Sequence, residues 1–304
     1  MLKGGIAAAV VGALFVLAGF SAGFFLARHD DTTLRTAAGA TAEAAAPSPT
    51  STRADFTRLN QAVAQLLSAA GATGGVTLTE LGGSNPQTWS LNGDQQFTAA
   101  STYKLPLLME EAQNVTSGRW HGTDSLCYQD NDWEDGYFSD YQDGMCMSRS
   151  QLEHRVGLNS DNTAAHMLVR YAGGGAALNK YAQAHGARQS AFYVPNTTTT
   201  SDLARLWVDE ATEHAGGRSA QQYLYPILTH TAYEAGIPAG VPAGTTVVHK
   251  IGILDDEVND AALVPKGPRG AYVLTICTQG PGGDAGWKLL ANISRAVWQF
   301  EGAR

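Results

Sequence analysis

Basic charge, cysteine and spaced metal ligands are all scarce in this chain of 304 residues. Lys and Arg number 20 against 28 Asp and Glu. Four basic residues (Lys3, Arg28, Arg35, Arg53) and three acidic ones (Asp30, Asp31, Glu43) precede Asp55, leaving 16 against 25 in the remainder, a formal −9. That balance argues against nucleic acid or an anionic membrane surface as a partner, since both call for a basic patch. The eight histidines are scattered rather than set at ligand intervals, so no metal site and no cofactor are expected. Three cysteines permit one intramolecular disulfide at most, and no internal repeat is visible.

Charge is missing altogether between Gly4 and Ala27. Roughly 20 apolar residues suffice to cross a bilayer as a helix, which makes residues 1–29 a candidate transmembrane segment or signal anchor. A cleaved secretory signal usually has a shorter apolar core ending at small residues, whereas Phe24, Phe25 and Leu26 continue past Ser21, Ala22 and Gly23. Residues 30–54 lack the large apolar side chains a core needs and run through Ala44-Ala45-Ala46-Pro47-Ser48-Pro49-Thr50, the composition of a tether. Residues 55–304 are long enough for one substantial core.

Within that domain, Ser101-Thr102-Tyr103-Lys104 stands where the apolar run Leu105, Leu107, Leu108, Met109 begins a helix. Residues three apart on a helix share a face. A serine hydroxyl becomes a useful nucleophile when a neighbouring base takes its proton, and a lysine held neutral by burial or local positive potential can do so. The helix amino terminus disfavours a protonated Lys104 and offers the Ser101 amide to an oxyanion. Taken alone, S-x-x-K is short enough to be an N-capping serine followed by an exposed lysine.

The chain also carries Ser160-Asp161-Asn162 and then His249-Lys250-Ile251-Gly252, in that order. Their flanks are Phe97-Thr98-Ala99-Ala100, Thr163-Ala164-Ala165 and Val258-Asn259-Asp260. Together these resemble the class A β-lactamases and penicillin-binding proteins, and the resemblance runs from about Asp55 to the carboxyl end. It implies an α/β fold (an α+β sandwich) with a five-stranded antiparallel sheet flanked by helices and an inserted all-helical lobe. It also implies export of the domain, which with the apolar leader makes a membrane-anchored protein with an extracytoplasmic catalytic domain, secreted if the leader is cleaved, and a monomer acting on a β-lactam or peptidoglycan peptide. In such an exported domain Cys127 and Cys146 are expected to bridge, leaving Cys277 as a small core residue.

Local patterns fit that architecture. Leu59, Val63, Leu66 and Leu67 mark one face of a helix over 57–70 ended by Gly71. Strands are expected at 75–81, 88–91, 246–253, 259–264 and 271–277, and helices at 101–116, 151–156, 163–171, 176–185, 201–215 and 284–300. Strands at both ends with helices between them imply a sheet assembled from distant segments and a cleft at the lobe boundary.

By resemblance, Ser101 is the acylation nucleophile and Lys104 the amine that accepts its proton. Ser160 passes a proton to the departing nitrogen, Lys250 polarises that hydroxyl and attracts a carboxylate, and Asn162 holds the substrate amide. The Ser101 and Ile253 amides form the oxyanion hole, and Gly252 lets the substrate come close. Asp161 is a structural hydrogen-bonding residue, and the second motif also reads as a helix cap.

Two departures matter. Ile251 stands where the family has a hydroxyl, removing a bond to the substrate carboxylate worth roughly 1.5–3 kcal/mol. No acid lies between His185 and Ser201, where class A enzymes carry the glutamate that activates the deacylating water. General-base help contributes about 10²- to 10⁴-fold, so an acyl-enzyme should form and hydrolyse slowly. Asp202 reads as a helix cap, and Glu110 and Glu111 lie more than two turns beyond Ser101. The polar, aromatic stretch Trp120 to Tyr141 reads either as a wall of the cleft or as a surface loop pinned by the disulfide. The functional alternatives are a D-alanyl-D-alanine peptidase or transpeptidase of cell-wall metabolism, and a catalytically weak β-lactam-binding domain.

Overall fold

The computed structural model describes residues 55–304. Helix α1 (Thr57–Ala70) buries Leu59, Val63 and Leu67, four residues apart and hence on one stripe. It stops at Gly71, whose φ of 65° closes the helix in the left-handed conformation a glycine adopts at least cost. Strands β1 (Thr73–Glu80) and β2 (Thr88–Leu91) follow as an antiparallel pair, then the short β3 (Phe97–Thr98).

A 3-10 turn, Ala100–Tyr103, leads into α2 (Lys104–Thr116). The helical lobe is built from α2, the two short strands β4 (Ser125–Cys127) and β5 (Cys146–Ser148), and α3 (Arg149–Asn159), α4 (Asn162–Tyr171) and α5 (Gly175–Ala184). Strand β6 (Thr197–Thr198) returns to pair with β3. Then come α6 (Thr200–Ala211), α7 (Gly217–Leu224), the short α8 (Ile237–Gly240), and β7 (Val248–Leu254), β8 (Glu257–Gly267) and β9 (Gly270–Gln279) before the closing α9 (Gly283–Gly302).

The main sheet is antiparallel in the order β2-β1-β9-β8-β7. The expected five strands and inserted helical lobe are therefore present. Because side chains alternate across a strand, β9 sends Tyr272, Leu274 and Ile276 into the core under α1 and α9, while Val273 and Cys277 enter the core shared with the helical lobe. The sheet is thus covered on both faces, and its strands are nearly continuously buried. The residues of α7 and α8 carried no sequence expectation. Both are short, and packing rather than periodicity holds them: α7 rests on α2 and α8 on α9.

Among the described residues no helix is long and apolar enough to cross a membrane. No described helix therefore supports the expected transmembrane segment, or the membrane partner and membrane-anchored location inferred from it, and those expectations are corrected to that extent. Residues 1–29, and the linker up to Ala54, lie outside the described residues.

Candidate active site

The nucleophile candidate sits on an irregular turn rather than in the first turn of an α-helix. Ser101 lies in the 3-10 segment, where side chains at i and i+3 eclipse, and Lys104 Nζ is 2.9 Å from Ser101 Oγ. Ala100, just before it, adopts a φ of 46°, a conformation that costs a non-glycine residue about 1–3 kcal/mol. Asn196 holds it there: its side-chain amide donates to Ala100 O at 3.0 Å, and its carbonyl accepts from Ala99 N–H at 2.9 Å. The β3–β6 pairing brings the Asn196 loop to this turn.

The second motif joins two helices. Ser160 ends α3 at a φ of 58°, and Asp161 caps α4 by accepting from Ala164 N–H at 2.8 Å. Asp161 is fully buried and also accepts from Phe138 N–H at 3.0 Å and Tyr141 OH at 2.6 Å. The second motif is thus a cap and also part of the site. Lys104 Nζ lies 2.6 Å from Ser160 O, 2.5 Å from Asn162 Oδ1 and 3.5 Å from Ser160 Oγ.

The third motif lies on β7, the edge strand. Lys250 Nζ donates to Ser160 Oγ at 2.8 Å and to Ile251 O at 3.0 Å. Ser160 is therefore flanked by both amines. A side chain on Gly252 would meet Ala99 O at 2.7 Å and Ser101 N at 3.1 Å, so this glycine lets the nucleophile turn dock on the sheet edge. The close approach seen at Gly252 is to the protein's own backbone. Ile251 is buried and does not line the cleft, whereas Ile253 is part-exposed and does.

Neither lysine has a carboxylate partner at hydrogen-bond distance; all the contacts above are to neutral oxygens. Burial therefore favours the uncharged amine. It depresses Lys104 to about 7, with Asp161 and Glu134 partly opposing. Burial and repulsion from Lys104 hold Lys250 well below the ordinary lysine range. A fully buried amine beside a serine hydroxyl, near neutrality, can exchange a proton with it. On the opposite side of the third motif His249 is also buried, bonded to Asp260 Oδ1 at 2.9 Å and Glu234 Oε1 at 3.2 Å. Burial alone would lower it, but the Asp260 and Glu234 carboxylates outweigh that and raise it to about 9.

These groups open onto a cleft of about 310 Å³ lined by Ser101, Asn162, Ile253 and, unexpectedly, Glu134, His166 and Asn196. A larger depression of about 650 Å³ lies elsewhere, between β1–β2 and α5–α6, and does not reach Ser101. Of the three added residues His166 alone had a sequence signal, standing four residues after Asn162 on the same face of α4. Glu134 comes from the polar stretch 120–141, which does supply a wall. That stretch is closed by the Cys127–Cys146 disulfide, whose cysteines face one another across β4 and β5, and tied down by Arg170, which donates to Asp132 Oδ1 and Oδ2 at 2.8 and 2.6 Å. Cys277 is free and buried. Among the described residues no cluster of side chains fits a metal ion.

Residues 58–300 match the family described as the β-lactamase enzyme family. Among solved structures, PBP-A is 28% identical over 80% of this chain and 96% of its own, with a TM-score of 0.74. A variant of PBP-A captured as an acyl-enzyme with penicillin G gives the same identity and coverage and 0.75. The β-lactamase of Sphaerobacter thermophilus DSM 20745 is 26% identical over 83% of this chain and 99% of its own, with a TM-score of 0.73. No curated protein matches.

Proposed function

The chain belongs to the β-lactamase enzyme family, and on that premise we propose that it is a serine hydrolase acylated at Ser101 by a β-lactam or related amide. The observation that carries the reading is Lys104, a fully buried amine bonded only to Ser101, Ser160 and Asn162 oxygens. With no carboxylate to hold a charge, it takes the Ser101 proton as the oxygen attacks the carbonyl carbon. The proton passes to Ser160 and on to the departing nitrogen, while Lys250 keeps the Ser160 hydroxyl polarised. The Ser101 and Ile253 amides stabilise the oxyanion, and Asn162 positions the substrate amide.

No acid from the loop 186–200 stands at the cleft; Val194, exposed, occupies its wall instead. That loop therefore contributes no base for deacylation, which is the slower step. That property, and the likeness to PBP-A, also favour a second reading as a D-alanyl-D-alanine peptidase or transpeptidase of the cell wall. Intact-mass spectrometry after saturating penicillin G is expected to show a stoichiometric adduct on the wild type and none on Ser101→Ala. An unmodified wild type after prolonged exposure would overturn the assignment.

A further inference from the structure

We propose that Glu134 is the general base that activates water for hydrolysis of the acyl-enzyme, with His166 as its positioning residue. This rests on acylation at Ser101 and adds the group that the loop 186–200 does not provide. Glu134 is the acid that shares the cleft lining with Ser101 and Asn162.

Its main chain is pinned at both ends. The Thr163 hydroxyl donates to Glu134 O at 2.9 Å and lies 3.1 Å from Glu134 N, and Asn162 Nδ2 donates to Asp135 O at 2.7 Å. Asn162 thus ties the carboxylate wall and the Lys104 amine to one side chain. Such backbone clamping keeps a catalytic group in place without relying on a mobile loop. The side chain is fixed as well: Glu134 Oε2 lies 2.9 Å from His166 Nε2, and His166 Nδ1 lies 3.2 Å from Asp132 O. Both imidazole nitrogens face oxygen acceptors, so the ring orients one carboxylate oxygen and leaves the other free for water. The hydrogen bond from His166 keeps Glu134 below the ordinary carboxylate range despite partial burial. The base therefore stays ionised at neutral pH.

A second group points to the water. Asn196 Oδ1 is buried in the same cleft lining with no hydrogen-bond partner among the described residues. An unsatisfied buried acceptor costs roughly 1–3 kcal/mol, a cost that a water held at the Asn196 side of the cleft would relieve. In the step itself the water oxygen bonds to the ester carbon and gives its proton to Glu134. The tetrahedral intermediate then collapses, the carbon–Ser101 Oγ bond breaks, and Ser101 Oγ regains a proton through Lys104. The proton relayed through Lys104 to Ser101 Oγ is the one Glu134 took from the water, so both groups return to their starting states as the carboxylic acid product leaves.

The test is a pulse of penicillin G followed by removal of free drug, with adduct formation and decay read by intact mass. Glu134→Gln keeps a hydrogen-bonding side chain beside His166 and is expected to acylate within about threefold of wild type. Its adduct should persist about 10²-fold longer or more, the scale of general-base help, and Glu134→Asp should fall between. His166→Gln should slow decay without slowing formation, a split that general loosening of the fold would not produce. Equal adduct lifetimes on wild type and Glu134→Gln would overturn the base assignment alone. Absence of any adduct on wild type would overturn the acylation reading on which it rests.

Discussion

Two clusters of buried charge lie a few turns apart, and they are built on opposite rules. Around Ser101, Lys104 and Lys250 are buried together and meet only hydroxyl, amide and carbonyl oxygens. In the helical lobe, Arg149 is equally buried but meets both Glu111 oxygens, at 3.0 and 2.7 Å, and stacks 4.4 Å from the Trp120 ring. A buried arginine keeps its charge and holds structure through its pair, although burial pushes the Glu111 carboxyl up to about 8 against the pull of Arg149; a buried lysine with no carboxylate partner sheds its proton instead. The first cluster therefore carries a desolvation cost that no carboxylate offsets, and that cost is what keeps an amine neutral.

The difference can be broken from either side. Lys104→Met is expected to slow acylation by about 10²- to 10⁴-fold with only a modest fall in melting temperature, since an apolar chain of similar volume fills the site but leaves the Ser160 and Asn162 oxygens without their donor. Stopped-flow acylation and calorimetry on the same sample check both halves. The wild-type acylation rate should also fall as pH drops through about 7. Below that value Lys104 is protonated and cannot accept the Ser101 proton, whereas above it the amine is neutral and the rate levels off. A rate independent of pH from about 5.5 to about 8.5, a window that brackets the Lys104 midpoint, would mean that another group takes the proton.

Arg149→Met should do the reverse. It takes away the partner of Glu111, a carboxyl that burial already pushes up to about 8, and breaking such a buried pair costs about 3–5 kcal/mol in urea unfolding, with acylation of the folded fraction unchanged. The smallest effect is expected at the half-exposed pair of Arg155 with Asp140, where the contacts are 2.6 Å. Asp140→Asn should cost less than about 1 kcal/mol, because solvent screens the partners. A larger loss would mean that Arg155, stacked on Phe138 and Tyr141, holds the cleft wall through that pair.

Much of this was legible along the chain. The stripe Leu59, Val63, Leu67 marked α1, because burial on one face imposes its period on neighbouring residues. Ser160, Asp161 and Asn162 were readable both as a cap and as site residues, and they serve in both arrangements. Glu134 was not legible. It lies in an aperiodic stretch, and its place in the cleft depends on Thr163 and Asn162, nearly thirty residues away.

The amino-acid sequence by itself determined the fold class, the family and the three motifs, since periodicity and local spacing are properties of adjacent residues. Tertiary structure alone decided that the nucleophile turn is 3-10 and docks against Gly252, that Lys104 and Lys250 share Ser160 without a carboxylate partner, and that Glu134 and His166 face the cleft. Those outcomes depend on desolvation and on contacts between distant segments, neither of which exists until the chain has folded.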